Sequence, residues 1–233
     1  MRKSQHLCVP VMLGMLAFTS STMAAPIITD WTSYTFGSTG SATGDLNGIT
    51  VTYSGDARGI LTNHGTAFDN TGYGQTAFTP SLDVSDAIQT WGATGVTNTL
   101  TFSSAVLNPI LWINSLGRGG GWDPATYVQS WTFNTPFTLL SSWYVAPGVA
   151  TGGANPYQMT QSGNTLIGQE GHGSIQFAGS FTSISWTSDK LEQSAFFQVG
   201  YDNTIVPNVP EPGALILLTL GLLGIGARRK SLL

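Results

Sequence analysis

Asn98-Thr99-Leu100-Thr101-Phe102-Ser103-Ser104-Ala105-Val106 is the stretch that decides the fold class. Leu100 and Phe102 alternate with threonine and serine, so a period of two puts apolar side chains on one face and hydroxyls on the other. The same pattern runs outward in both directions. Ile49–Tyr53 alternates apolar residues with Thr and stops at Ser54-Gly55-Asp56. Ile110–Ile113 is a compact apolar run that starts after Asn108-Pro109 and stops at Gly117. Gln129–Phe133 sets Trp131 and Phe133 on one face, and Phe137–Val145 continues after Pro136. Ser174–Phe177 and Phe181–Trp186 flank Ala178-Gly179-Ser180, which predicts a hairpin. Ala195–Tyr201 closes the domain with Phe197, Val199 and Tyr201 on one face. Only Leu82–Trp91 offers a helical pattern, one or two turns long.

Short strands rich in Thr and aromatics, separated by glycine and proline turns, predict an all-β fold. The expected architecture is an antiparallel β-sandwich with jelly-roll-like winding, and a closed barrel is the alternative. One apolar face and one Ser/Thr face per strand predicts that each sheet is half solvated. No repeat of fixed period is present, which argues against a solenoid or propeller.

Both ends of the chain depart from this pattern. Arg2 and Lys3 precede an apolar run from Leu7 to Phe18, and Thr22-Met23-Ala24 offers small residues at the −3 and −1 positions of a signal-peptidase site. Residues 1–24 are therefore expected to be a cleaved signal peptide, with an exported domain over 25–201 and a polar, Pro-rich linker over 202–208. The C-terminal part, 209–233, has three sections. Val209-Pro210-Glu211-Pro212 is an extended motif, because proline fixes φ and removes N–H donors. Gly213–Ala227 is an uncharged apolar run, expected to be a short transmembrane helix. Its fifteen residues would span about 22 Å against a hydrocarbon core of about 30 Å. Arg228-Arg229-Lys230 is a basic stop that the positive-inside bias holds on the cytoplasmic side.

These three ordered features closely resemble the PEP-CTERM sorting signal of Gram-negative bacteria. The resemblance covers about residues 209–230. It implies handling by an exosortase, a membrane-embedded cysteine transpeptidase. That enzyme recognises the motif, removes the tail, and releases or attaches the protein at the cell surface. It also implies a host that makes exopolysaccharide and biofilm matrix, with the chain held only transiently in the inner membrane. A weaker likeness to exported β-sandwich domains of such proteins lies in Phe102–Gly117 and Gly173–Tyr201.

Export changes the charge. Five of the eight Lys and Arg lie in the terminal segments, which leaves Arg58, Arg118 and Lys190. All twelve Asp and Glu lie between Asp30 and Glu211, so the mature protein carries 3 − 12, or −9. Such a domain has no electrostatic footprint for nucleic acid and is repelled by anionic lipid. The only cysteine, Cys8, lies in the expected signal peptide. No disulfide, thiol nucleophile or cysteine metal site is then expected in the exported domain. All seven tryptophans fall inside it, which predicts an aromatic core.

Candidates for chemistry are sparse. His64 lies five residues before Asp69, and His172 two after Glu170. With Asp83, Asp86, Asp123 and Asp189 these are the groups that could build a site. No Gly-x-Ser-x-Gly elbow or His-Glu-x-x-His helix is present, and both histidines are expected in polar surface loops. The loop Gly117-Arg118-Gly119-Gly120-Gly121-Trp122-Asp123-Pro124 is the most unusual local stretch. Arg118, Trp122 and Asp123 form a candidate glycan-binding set: a Trp face can stack on a sugar, and Arg and Asp can bond hydroxyls. No cofactor or metal is expected. Ca²⁺ at Asp45-Leu46-Asn47-Gly48 is an option, with a plain Asx turn the favoured reading.

The functional expectation is a non-enzymatic surface or matrix protein, structural or weakly glycan-binding, with an exosortase and exopolysaccharide as partners. The alternative is an exported polysaccharide- or ester-hydrolase using Glu170, Glu192 or His172. An adhesin or pilus-like subunit would need a donor strand, and Ala25–Thr35 is too short and mixed to supply one.

Overall fold

A computed structural model describes residues 25–64, 78–80, 82, 85–117, 128–144, 158–191 and 194–203. Among them there is no helix. The strands are β1 (Ile27–Ile28), β2 (Asp30–Thr35), β3 (Gly37–Leu46), β4 (Ile49–Ala57), β5 (Gly59–His64), β6 (Ser85–Thr90), β7 (Thr97–Leu107) and β8 (Ile110–Leu116), followed by β9 (Gln129–Phe133), β10 (Thr138–Tyr144), β11 (Thr160–Ser162), β12 (Thr165–Gly168), β13 (Gly171–Gln176), β14 (Ser180–Ser188) and β15 (Ala195–Tyr201). They form two antiparallel sheets. One has seven strands in the order β10-β13-β8-β15-β6-β5, with β1 also paired to β15. The other has eight, in the order β11-β12-β9-β14-β7-β4-β3-β2. The sheets pack face to face and share one core, so the architecture is sandwich-like.

The alternating stretches become strands because their apolar faces meet across this interface. Leu100 and Phe102 of β7 join Val51 and Tyr53 of β4, Trp131 and Phe133 of β9, Ile184 and Trp186 of β14, and Phe197 and Val199 of β15. The centre is aromatic. The Trp186 ring lies 5.3 Å from Phe197 and 5.5 Å from Trp131, and Tyr53 lies 5.0 Å from Phe197. Such pairs contribute about 0.5–1.5 kcal/mol each beyond area burial. Trp131 and Trp186 bury their indole N–H groups without a partner, a cost of about 1–3 kcal/mol each.

Three expectations are corrected. Leu82–Trp91 is not helical: Ser85–Thr90 is β6, with Ala195, Phe196 and Phe197 opposite Thr90, Gln89 and Ile88. Pairing with a central strand overrides a weak local propensity. The segments around Ala178-Gly179-Ser180 do not form a hairpin. β13 pairs with β10 and β8, whereas β14 pairs with β7 and β9, so the chain crosses between sheets. The corner is tied to the neighbouring β7–β8 corner instead. Asn108 N–H donates to Gly179 O at 2.7 Å, Gly179 N–H donates to Asn108 Oδ1 at 2.8 Å, and Phe177 N–H donates to Pro109 O at 3.0 Å.

The third correction concerns solvation. The eight-stranded sheet alternates buried and exposed residues, as in β7. β8 and β13 are buried on both faces. A second apolar cluster of Phe78, Leu82, Ala87, Ile110 and Trp112 covers the outside of the seven-stranded sheet. Trp112 Nε1–H donates to Pro80 O at 2.8 Å, and the Ser174 hydroxyl donates to Thr79 O.

From β7 onward each strand or hairpin lies in the opposite sheet from its predecessor, and the pairs β10·β13, β9·β14 and β8·β15 are nested. The register sorts the connections into two ends. At one, Ile27 faces Tyr201, the Asn47-Gly48 turn hydrogen-bonds Tyr201 (Asn47 Nδ2–H to Oη, 3.3 Å), and the β7–β8 and β13–β14 corners meet. Both termini of the described domain leave from this terminal end. At the far end lie the β6–β7 and β12–β13 connections, the ends of β8, β10 and β14, and the starts of β9, β11 and β15.

Candidate functional site

The far end of the sandwich holds two polar constellations. The first forms where β8 ends and β13 begins. A bulge sets Asn114 and Ser115 against His172 alone: Gly171 faces Leu116 and Gly173 faces Ile113. Ser115 and Glu170 both have left-handed backbone, with φ of 62° and 57°. Such residues are uncommon outside glycine and cost about 1–3 kcal/mol each. The Ser115 hydroxyl donates to Glu170 Oε1, and the Ser115 amide donates to His172 Nδ1 at 3.1 Å. His172 is buried, not in a surface loop as expected, and its burial lowers the imidazole pKa to about 4. The neutral ring therefore carries its proton on Nε2.

This corner brings together a serine, a histidine and a carboxylate, but not in relay order. A nucleophilic serine needs its hydroxyl on the imidazole. Here the hydroxyl serves Glu170, and Nδ1 is occupied by an amide. The arrangement closes a bulged strand end.

The second constellation was not foreseen from sequence. Asp56, at the end of β4, is fully buried. Its Oδ2 accepts the amides of Trp91 and Ala93, each at 2.9 Å, and the Thr90 hydroxyl at 3.3 Å. Its Oδ1 accepts Arg58 Nε–H at 2.5 Å. The Arg58 guanidinium lies 4.8 Å from the centre of the Trp91 ring, and Trp91 is 43% exposed. One carboxylate thus fixes the β6–β7 connection of one sheet to a strand of the other. Beneath it, Asn98 Oδ1 accepts the Tyr53 hydroxyl at 2.6 Å and the Asp56 amide at 3.0 Å. Burial, and after it the Asp56 carboxylate, holds the Tyr53 phenol far above its ordinary pKa. The available sequence signal was Arg58 itself, one of only three cations in the exported domain and two residues after Asp56.

The remaining candidates are placed as follows. Arg118, Trp122, Asp123, Asp69, Asp83 and Glu192 lie outside the described residues. So do the expected signal peptide, the sorting tail and all of the linker beyond Asn203. His64 ends β5, its backbone opposite Ser85. Asp189 Oδ1 accepts the Ser130 amide at 2.7 Å. Asp45 Oδ1 accepts the Gly48 amide at 3.0 Å, and Asn47 and Gly48 have φ of 53° and 84°, so this stretch is a type I′ hairpin turn capped by an aspartate. Among the described residues no group of three or more His, Cys, Asp or Glu could hold a metal ion. Nor is any helix among them long and apolar enough to cross a membrane.

A shallow cavity of about 250 Å³ marks the terminal end, lined by Ile49, Leu107, Asn108, Tyr201 and Asp202 among others. The chain continues from here toward the motif that begins at Val209. No curated protein and no solved structure matches the chain. Residues 208–230 match the family described as the PEP-CTERM protein-sorting motif, so the chain ends in a signal for export and for processing by an exosortase, a membrane enzyme.

Proposed function

We propose that the chain is a non-enzymatic protein of the cell surface or extracellular matrix of a Gram-negative bacterium, associated with exopolysaccharide. In this reading residues 1–24 are removed on export, and 213–227 span the inner membrane until the tail is cleaved near Pro210-Glu211-Pro212. The observation that carries it is the sorting motif at 208–230 on a sandwich of strongly acidic composition. Supporting it, at the β8–β13 corner the Ser115 hydroxyl is engaged with the Glu170 carboxylate and His172 Nδ1 with the Ser115 amide.

The terminal end faces the membrane during sorting. Six residues separate Asn203 from Pro210, so the motif lies at most about 25 Å from the last described turn. The far end then points away from the bilayer, about 30 Å beyond, given the nine residues of β14.

The test is the intact mass of the protein recovered from the native host's envelope and medium, with and without its sorting enzyme. Loss of about the last 20 residues only when the enzyme is present is the expected result. Retention of Arg228–Leu233 in both strains would overturn the sorting reading.

A further inference from the structure

The exposed large aromatics among the described residues are Tyr34, Phe36 and Trp91. Each lies on the half of the sandwich away from the sorting tail. Phe36 is in the β2–β3 connection, next to Gly37, which pairs with Ala57, and Trp91 follows β6. Trp91 differs from the other two in how it is held. Its own amide and that of Ala93 are fixed by the buried Asp56, and Arg58 covers its ring. Gly92 between them (φ 68°) leaves no room for a side chain, since a Cβ would meet Gln129 Nε2 and Lys190 O. Gln129 Nε2–H also donates to Lys190 O at 2.8 Å, which binds the β14–β15 connection to the same base. The backbone that carries this exposed indole is therefore fixed before any ligand binds.

We propose that Trp91 is a stacking platform for a neutral saccharide. A rigid aromatic face buries the apolar face of a sugar ring at low entropic cost, and hydroxyl groups around it remain solvated. Charge selects the class. Arg58 is paired with Asp56, and Asp189 precedes Lys190 in the sequence, so the platform has no net positive charge, while the mature protein carries about −9 by the count above. A polyuronate or sulfated glycan is repelled, whereas an uncharged pyranose is not. The inference deepens the exopolysaccharide reading by naming the site and the ligand class.

The experiment is affinity electrophoresis of the protein recovered from its host. The gels contain the host's own exopolysaccharide, a soluble neutral β-glucan, or a polyuronate. Wild type should be retarded by the host polymer and the β-glucan, equally at low and high salt, and not by the polyuronate. Trp91→Ala should weaken retardation about tenfold, and Trp91→Phe should restore most of it. Hydroxyl-radical footprinting of wild type, which needs no variant to fold, should show the Trp91 peptide protected by the β-glucan. Retardation by the host polymer with Trp91 unprotected, or with Trp91→Ala indistinguishable from wild type, overturns the Trp91 site and leaves the matrix reading standing. Retardation by the polyuronate alone, lost at high salt, overturns the ligand class. Absence of retardation in all three gels overturns both the site and the exopolysaccharide association.

Discussion

The two sheets are written in one residue vocabulary and end in different environments. On the outside of the eight-stranded sheet, the registers align Thr43, Thr52, Thr101 and Ser183 in one row and Ser41, Ser54, Thr99 and Ser185 in another. The side chains of both rows are exposed or half-buried. On the outside of the seven-stranded sheet, Trp112, Ile110 and Ala87 sit beneath Phe78 and Leu82. The difference comes from Phe78 and Leu82, which pack over the outside of one sheet. A β-face need not be polar by pattern to be solvated, nor apolar throughout to be covered: Ser174 lies under the cover too, satisfied by Thr79 and Ser141.

The largest test of this contrast is Trp112→Ala. It should destabilise the fold by about 3–5 kcal/mol, read from the denaturation midpoint, because the ring is fully buried although it points away from the shared core. A loss under about 1 kcal/mol would mean the outer layer is dispensable packing.

How much of this was legible beforehand follows the size of the side chains. β9 and β15 have the boundaries read from sequence, because Trp131, Phe133, Phe197 and Val199 mark an inward face with large residues. β3 obeys the same period in small ones. Gly40, Ala42, Gly44 and Leu46 are its buried positions, and a Cβ at Gly40 or Gly44 would lie within 3 Å of β2 backbone oxygen. A strand selected for close approach has no hydrophobic signature. The covering of one sheet was illegible for another reason: it depends on where Phe78 and Leu82 land, and no local pattern encodes that. At the site, Glu170 and His172 were singled out, but Ser115 joins them only through a bulge. Asp56 meets Trp91 only through the packing of two sheets.

The next test is by pH. His172 is neutral in the folded protein because burial lowers its pKa from 6.5 to about 4. The unfolded chain binds the proton more readily, so stability is full above pH 6.5 and falls as pH drops through the interval to about 4. The loss is up to roughly 3 kcal/mol. His172→Asn keeps an acceptor near the Ser115 amide and should flatten that part of the pH–stability curve. An unchanged curve would assign the acid sensitivity to other groups.

The smallest effect is expected on the open sheet. Thr101→Ala removes an exposed methyl and hydroxyl from the middle of the threonine row and should shift stability by no more than about 0.5 kcal/mol. A larger loss in thermal melts would show that the row acts cooperatively.

The position of β15 bears on timing. The last strand of the domain lies inside the seven-stranded sheet, between β8 on one side and β6 with β1 on the other. Gln198, within it, donates to Thr29 O at 2.8 Å and Asp86 O at 2.5 Å, closing the gap where β1 and β6 abut. A chain made from its first residue onward therefore cannot complete either edge of that strand until residue 201 has emerged. Until then β1, β6 and β8 have no partner to bring them together, and loop closure over more than a hundred residues is still outstanding. For an exported protein, the order of its strands is itself a delay, and it ends only when the sorting tail is next to come.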